Sequence, residues 1–429
     1  MSGFGREQTR RAHLAWLSAG QLDAGFSALS GFAAGAAAVR LLDPSVLGVY
    51  ALLFAAFGVA SQIPAQLVCA PAEVLISHRP TGERLPSLRW SLRRAIPFAS
   101  FASLSVALGA LPFAGQVDLG SMTPMIVTAI AFTALSPCQD HVRKVLHISE
   151  RSWRAATVSG VQFLATSIAI AVLWEVGPLW LPFGAPALGN LVSAIVGFRK
   201  SGSGSLPPAR GELGAIGRWL TVVGLATAGG RYAASSLAGL LAGAASLGYV
   251  EAARIVARPA DVIATGLLAV LGPRIMVASA GGNMAVVARW RRTFYVTFLS
   301  VTTIYGLWVV LPWALNPFSR LFPSAFTITG LVAFSFAAQV MGNLMAPYVS
   351  ELLGTRKEAN LAKIEVLAQG LNVAVAGSAA ALGPFALPVG QTAAGAIKLA
   401  AYRRLTRKRA TPTPHRLAAD EDFRPPQPK

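Results

Sequence analysis

The sequence predicts an all-α membrane protein in which about twelve transmembrane helices form two like-oriented bundles of six. The first supporting observation is composition: 54% of the 429 residues are hydrophobic, only 13% are charged and the mean hydropathy is +0.55, whereas soluble domains carry about 25% charged residues. The second is a succession of apolar runs, each near the ~20 residues that a helix needs to cross a bilayer. The third is an internal repeat.

The apolar runs can be followed along the chain in order. The first, residues 14–38, comes after Arg6, Arg10 and Arg11. It is longer than the apolar core of a signal peptide, which has about 7–15 residues, and it contains Asp23, so we expect a first helix that stays in the membrane. The other predicted spans are 46–70, 95–115, 121–138, 155–174, 178–197, 219–242, 247–271, 294–314, 327–349, 364–382 and 385–402.

Basic residues accumulate on one side of these spans. Most of the 37 Lys and Arg residues lie before the first span, in loops after even-numbered spans or in the tail, while the other loops are nearly free of cations. The positive-inside rule then places both termini in the cytoplasm, and we expect a multi-pass protein of the cytoplasmic (inner) membrane. Topology accounts for the net charge of +19, so we expect membrane lipids and no nucleic acid as partners.

The two halves of the chain share short motifs. Trp-Leu-Ser at 16–18 resembles Trp-Leu-Thr at 219–221, and Leu-Gly at 47–48 recurs 200 positions later at 247–248. Because each half has an even number of spans, the halves have the same orientation, and repeats of this kind place substrate sites between them. We predict a first bundle, a cytoplasmic linker, a second bundle and a basic, Pro-rich tail at 1–198, 199–218, 219–402 and 403–429.

Four ionisable residues share one stripe of the predicted eighth span. Their spacing of three, four and three residues keeps them within roughly an 80° arc of a helix, and charges at this depth normally face a partner helix or a wet cavity. The stripe predicts a polar pathway with two cations for an anionic ligand. The alternative is a self-paired charge ladder that only holds helices in register. The four residues are Glu251, Arg254, Arg258 and Asp261.

Two more ionisable residues lie within other spans. Arg231, in the seventh span, is expected to form a salt bridge with Glu251, to be another cation of a central cavity, or both. Asp23 lies in the first span, the repeat partner of the seventh, so it could face Arg231 across a central cleft. There it would be a counter-ion or a titrating group for coupling to H⁺ or Na⁺. The alternative for Asp23 is a buried structural pair.

Segment 139–144 is predicted to be a cytoplasmic loop after the fourth span. Its Arg143 and Lys144 could first contact a phosphate head group that arrives from the cytoplasm. The default explanation is the positive-inside bias and contact with anionic lipids.

The remaining polar residues of the spans have plainer interpretations. Gln339 and Asn343 share a face of the tenth span and are expected to hold helices together. Near span ends, Glu73, Glu175, Glu351, Glu365 and Lys398 are expected to reach the interface.

The sequence lacks the patterns of the common enzyme classes. It contains no phosphate-binding Gly-rich loop of the Walker type, no dinucleotide-binding fingerprint and no Ser–His–Asp set with local context. Its two cysteines and five histidines form no metal-ligand spacing. We therefore expect a protein that is not an enzyme, without catalytic residues, cofactor or metal.

Several short motifs resemble the multidrug/oligosaccharidyl-lipid/polysaccharide exporter (MOP) superfamily, and most of all its polysaccharide-flippase branch. They are Arg-Leu-Leu-Asp-Pro at 40–44 with Gly-Val-Tyr at 48–50, Leu-Gly-Tyr at 247–249, Gly-Pro-Arg at 272–274 and the 139–144 segment. The resemblance implies a V-shaped pair of bundles that works by alternating access. It also implies a cationic central cavity for an anionic lipid-linked glycan, in which Arg231, Arg254 and Arg258 would be the cations.

The expected function is that of a flippase. The substrate would be a polyprenyl-pyrophosphate-linked oligosaccharide or a related cell-envelope precursor, bound by the three arginines. Asp23, Glu251 or Asp261 would re-pair these cations or take up a coupling ion, and glycan-biosynthesis enzymes are possible partners. The alternatives are a cation-coupled multidrug or metabolite exporter of the same superfamily and a non-transporting scaffold for envelope biosynthesis.

Overall fold

A computed structural model describes residues 3–407 apart from 78, 119, 200–211, 312–314, 317, 319–321, 324, 325, 327 and 329. Most of the predicted linker and the tail beyond residue 407 therefore lie outside the described residues. Within the described part the chain is α-helical and forms no strand, which confirms the predicted all-α class.

The described part of the first half folds into eight α-helices. A π-helical stretch, Ala65–Cys69, joins the second helix to the third, and a 3₁₀ stretch, Ser105–Phe113, continues the fifth. The helices are α1 (Gly3–Leu41), α2 (Pro44–Pro64), α3 (Ala70–Ser77), α4 (Thr81–Arg84), α5 (Ser87–Leu104), α6 (Thr123–Ile148), α7 (Ser152–Val176) and α8 (Leu181–Arg199).

The described part of the second half contains nine further α-helices. They are α9 (Glu212–Ala242), α10 (Ala244–Ala257), α11 (Pro259–Ala280), α12 (Met284–Val309), α13 (Leu331–Leu344), α14 (Ala346–Gly354), α15 (Glu358–Ala376), α16 (Ala379–Leu382) and α17 (Ala386–Arg407).

The predicted eighth span is not one continuous helix. It divides at Arg258 because Pro259 has no backbone N–H and cannot continue the hydrogen-bond ladder of α10, whereas it is well suited to begin α11. The prediction that the charged stripe lies on a single helix was therefore wrong. Glu251 and Arg254 lie on α10, Arg258 lies in the break and Asp261 lies in the first turn of α11.

Each of the twelve predicted spans overlaps a helix or a run of consecutive helices. Among the described residues, six helices are long and apolar enough to cross a membrane, or up to eight if each of two bent pairs is one span. The bends are 45° within α11 and 55° between α15 and the helices that follow it. The multi-pass membrane fold is confirmed, while the number twelve and the domain boundaries stay predictions.

The two halves meet through a few helices. In the first half α1 and α8 pack on α7, and in the second half α9 and α17 pack on α15. Between the halves, α2 packs against both α9 and α10, while α1 packs against α11. The boundary between the halves is therefore formed largely by α1 and α2 on one side and α9 to α11 on the other.

One close contact between the halves is reciprocal. At Gly48 a Cβ would overlap the backbone carbonyl of Ala244, and at Gly248 a Cβ would overlap the carbonyl of Pro44. Since both pairs of positions are related by 200 residues, the contact has the form of a two-fold interface. Only glycine lets the two backbones approach so closely. The internal repeat indicated by the Leu-Gly motifs is thus present in three dimensions.

Of the ionisable residues expected at the interface, Glu175 is exposed and Glu73 is half-buried, while the other three are buried: Glu351, Glu365 and Lys398. The Lys398 ammonium lies 3.1 Å from the Glu365 carboxylate, and Arg291 lies 3.1 Å from Glu351. Glu73 contacts His141 at 2.9 Å and Lys144 at 3.6 Å. The prediction was wrong for the three buried side chains because each has a charged or polar partner on a neighbouring helix. A buried charge is retained when it is paired.

Candidate functional site

A cavity of about 650 Å³ lies between the two halves, and we call it the central cavity. Seven of the eight ionisable residues selected from the sequence line it. The eighth, Glu251, is 1% exposed and lies behind the arginines of α10. The seven lining residues are Asp23, Arg143, Lys144, Arg231, Arg254, Arg258 and Asp261.

On the first-half side, Asp23 is the centre of a hydrogen-bond cluster. Arg143 donates two hydrogen bonds to its carboxylate, at 3.0 and 2.8 Å, and the Ser159 hydroxyl donates a third at 2.6 Å. The Nε2 atom of His147 lies 3.0 Å from the same carboxylate. Asp23 is thus a counter-ion, but of Arg143. Asp23 and Arg231 both line the central cavity, but the bidentate partner of Asp23 is Arg143 from α6, as in the alternative of a buried structural pair.

This partner is available because α6 is longer than predicted. Segment 139–144 was expected to be a loop, but α6 continues to Ile148. Arg143 and His147 are four residues apart, so they share one helix face and both reach α1. Arg143 is therefore engaged inside the fold. Lys144 is 59% exposed and its ammonium lies 3.6 Å from the Glu73 carboxylate, so it is the more accessible cation of the two.

On the second-half side, one carboxylate serves two guanidinium groups. Arg254 donates to Glu251 at 2.8 Å, and Arg258 lies 3.9 Å from the other oxygen of Glu251. The expected salt bridge between Arg231 and Glu251 is absent from the described structure, because Arg254, one helical turn away, occupies the carboxylate. Two arginines for one carboxylate leave this wall of the cavity with an excess of positive charge.

Arg258 links the two halves of the protein. From the break between α10 and α11 its Nη1 atom donates to the carbonyl of Gly31 on α1 at 2.8 Å. Its guanidinium also lies 5.1 Å from the centre of the Phe54 ring on α2, within the range of a cation–π interaction. Arg258 therefore has a carbonyl, a ring and a carboxylate around it.

Asp261 is held by amides. Its two oxygens accept hydrogen bonds from Gln339 and, at 2.6 Å, from Asn343. Both amides lie on α13, so they do hold helices together as expected, and they do so through the carboxylate on α11. The described residues provide Asp261 with no arginine partner, which argues against a self-paired ladder along the whole stripe.

Arg231 differs from the other arginines of the cavity. Its side chain is exposed to the cavity, and within the described part of the chain it makes no hydrogen bond or ion pair. A guanidinium that lies inside a membrane protein without a counter-ion is costly, so Arg231 is the cation most available to a ligand.

Some residues of the site were missed by sequence reasoning. A chain of amides runs along the first-half wall, in which Gln139 donates to Gln162 at 3.0 Å and Gln162 donates to Asn190 at 2.7 Å. Polar residues inside the apolar fifth and sixth spans were the available signal. No sequence signal identifies Phe54, because phenylalanine is common on membrane helices. The described residues contain no group of His, Cys, Asp or Glu able to hold a metal ion.

Neither a protein-family model nor a curated sequence matches the chain. Solved structures do resemble it. An inward-facing multidrug resistance MATE transporter of the MOP superfamily has a TM-score of 0.64 and 12% identity, over 89% of this chain and 95% of that one. A MATE protein in the straight conformation gives 0.63 and 12%, over 93% and 97%. A MOP superfamily transporter from Pyrococcus furiosus, described as having a binding pocket of reversed polarity, gives 0.53 and 14%, over 92% and 95%. The chain therefore has the fold of these transporters.

Proposed function

We propose that the protein is a transporter of the cytoplasmic membrane that works by alternating access, with both termini in the cytoplasm. The observation that supports this most directly is the central cavity, which lies between two halves related by a 200-residue repeat. Its charged residues come from both halves. The fold shared with MATE transporters adds support.

The proposed substrate is a polyprenyl-pyrophosphate-linked oligosaccharide or a related envelope precursor. A hydrated, cation-lined cleft lowers the barrier for moving a large polar head group through ~30 Å of hydrocarbon. Arg231 and Arg254 present donors to the cavity, and guanidinium groups bind phosphate oxygens with paired, charge-assisted hydrogen bonds. The amides Gln139, Gln162 and Asn190 would provide hydrogen-bond partners for sugar hydroxyls.

The coupling groups proposed for this cycle are the carboxylates of the cavity. Two carboxylates are the candidates for uptake of H⁺ or Na⁺. One is Asp23, which contacts Arg143 and His147, and the other is Asp261, which accepts hydrogen bonds from two amides. Protonation of Asp23 would weaken its ion pair with Arg143 and loosen the contact of α1 with α6. This links ion uptake to a movement of helices that line the cavity.

A second candidate is a cation-coupled multidrug or metabolite exporter, which the described function of the multidrug MATE neighbour favours. Against it stands the charge of the cavity. Exporters of cationic amphiphiles need acidic cavities, whereas here Asp23 is neutralised by Arg143 and Glu251 is shared by two arginines. A non-transporting scaffold would tolerate the loss of every one of these charges.

The test uses a deletion strain and a non-permeant glycan-modifying probe that reports which leaflet holds polyprenyl-linked glycans. If the proposal is right, completed glycans accumulate in the inner leaflet. Wild type restores their distribution, as does the control Arg289→Gln, which removes an exposed arginine outside the cavity. The double variant Arg231→Gln/Arg254→Gln does not. Normal glycan distribution in the deletion strain, together with loss of drug efflux, would favour the exporter. If the double variant restored the distribution as well as wild type does, the non-transporting scaffold would be favoured.

A further inference from the structure

A second cavity of about 370 Å³ lies between α2 and α9, and we call it the seam cavity. It shares four residues with the central cavity: Phe54, Phe57, Arg231 and Arg254. The two arginines therefore stand between two compartments and can present donors to both.

The seam cavity has a pseudo-symmetric counterpart in the other seam, where α1 packs on α10 and α11. Gly58 and Arg231 of the seam cavity correspond, 200 positions away, to Arg258 and Gly31. The packing along the two seams agrees with this. A Cβ at Gly266 would lie 3.8 Å from Ala24, and a Cβ at Gly224 would lie 3.2 Å from Gln66, which are the same positions shifted by 200.

The two seams differ in what fills them. In the α1 seam the Arg258 side chain crosses from α10 and donates to the Gly31 carbonyl. In the α2 seam the equivalent position is Gly58, which has no side chain. A Cβ built there would meet no atom nearer than 4.0 Å, the Cβ of Ala228. The seam cavity is thus the space that a long side chain occupies on the opposite side of the molecule.

The space is bordered by donors that lack acceptors. Arg231 has no hydrogen bond or ion pair with the described part of the chain. Arg254 uses Nη1 on Glu251, but its Nε is buried and finds no acceptor there. The Gln62 amide nitrogen adds a neutral donor, since Gln66 bonds only the Gln62 oxygen. A buried donor without an acceptor, such as Arg254 Nε, costs free energy. An unpaired guanidinium inside a membrane protein, such as that of Arg231, is costly as well, so an anion in this cavity would be bound favourably.

We propose that the seam cavity binds the phosphate group of an amphiphile. Arg231, Arg254 and the Gln62 amide would hold the phosphate oxygens, because guanidinium groups pair with phosphate in a planar, two-pronged geometry. Phe54 and Phe57 provide apolar walls for the adjoining chain. The phosphate has two possible sources: the pyrophosphate of the transported lipid, in which case the inference rests on the proposed function, or a membrane phospholipid.

Two variants and a matched control test the site. Arg231→Gln removes the free cation, and Gly58→Met fills the cavity with a flexible side chain as Arg258 fills the other seam. Gly58→Ala is the control, since its added Cβ has room. Hydrogen bonds to charged groups are worth about 1.5–3 kcal/mol, so Arg231→Gln should weaken binding by roughly 10- to 150-fold. Gly58→Met should also weaken binding, because its side chain takes the space of the phosphate, whereas Gly58→Ala should keep wild-type affinity.

The probe is a water-soluble, short-chain polyprenyl pyrophosphate, with the matching polyprenol as the ligand that lacks phosphate. Binding is measured by calorimetry on the full-length protein in a maltoside detergent, which carries no phosphate. Because Arg231 lines both cavities, Gly58→Met decides between them. Wild-type affinity in Gly58→Met, or equal binding of the polyprenol, would overturn the proposal. Loss of binding in these variants alone supports it, and the size of the loss in Gly58→Met tests the cavity without altering a charge.

Adding phosphatidylglycerol to the detergent micelles separates the two sources of phosphate. If this lipid competes with the probe, the occupant is a membrane phospholipid, and if it does not, the occupant is the pyrophosphate of a transported lipid. Both outcomes support a phosphate site. Binding is measured independently of transport. If the protein binds the probe but its deletion leaves glycan distribution in cells unchanged, the proposed function is refuted while the phosphate site is retained.

Discussion

The crossing of α2 and α10 provides a quantitative test of the two-fold relationship between the halves. Replacing Gly48 by Ala places a methyl group on the backbone carbonyl of Ala244, and Gly248→Ala does the same to Pro44. The obstacle in each case is backbone, which cannot rotate away as a side chain can. The helices must therefore separate at the crossing. Because the contacts are reciprocal, we expect the two variants to behave alike.

The magnitude follows from two opposing terms. Carbon atoms pack best at about 3.5–4 Å, and forcing extra methyl groups into a packed core costs about 1–3 kcal/mol. Alanine is favoured over glycine within a helix by about 1 kcal/mol. Gly25→Ala and Gly229→Ala are the controls, since a Cβ there meets no atom within 4 Å. They gain the higher helix propensity of alanine without the cost of a steric overlap. The crossing variants should therefore be about 1–3 kcal/mol less stable than the controls.

The assay is thermal unfolding of the purified protein in one detergent, followed by the loss of the monodisperse peak. Gly48→Ala and Gly248→Ala should unfold several degrees below the controls. The double variant should lose less than the sum of the two single losses, because one separation of the helices relieves both contacts. Crossing variants as stable as Gly25→Ala would refute the close backbone contact. Unequal effects of the two variants would refute its reciprocity.

Three further predictions concern buried charges. Asp23→Asn and Arg143→Gln should each destabilise the protein by about 3–5 kcal/mol, since each leaves a buried partner unpaired, and additive losses in the double variant would argue against the pair. Lys398→Met should destabilise similarly, and adding Glu365→Leu should restore most of the stability. Transport should stay intact in this double variant, because the pair does not line the central cavity. Glu251→Gln should tighten binding of the short-chain pyrophosphate, because it frees two arginines; unchanged affinity in calorimetry would show that Glu251 does not limit anion binding.

The helices were predictable from the sequence because each is encoded locally. Apolar runs of membrane-spanning length, and a Leu-Gly motif repeated after 200 residues, are visible without knowledge of distant contacts. The break at Arg258 was also signalled, since Pro259 follows it directly. The length of α6 was not, because the polar residues from Gln139 onward resemble a loop when their partners on α1 and α3 are unknown.

The side-chain partners were far less predictable. Asp23 and Arg143 are 120 residues apart, and nothing in either segment indicates which cation the carboxylate selects. Spacing placed the right residue types at the cavity, since seven of eight candidates line it. Spacing could not show that Arg143 forms an internal ion pair with Asp23 while Arg231 has no partner among the described residues. That distinction depends on the packing of helices from both ends of the chain.

The repeat explains why the geometry of this protein occurs twice but its charges occur once. Backbone packing acts equally on both halves, so Gly48 and Gly248 must both be glycines for α2 and α10 to cross. A charged side chain instead interacts with a ligand or with a local partner, and such an interaction is required in only one of the two seams. Arg258 therefore faces Gly31 in one seam, while Arg231 faces Gly58 in the other. Arg258 fills its seam and forms an internal hydrogen bond there, whereas Arg231 lies beside the seam cavity, which no side chain fills. An anion-binding site can arise in this way from a symmetric scaffold without any change to its backbone.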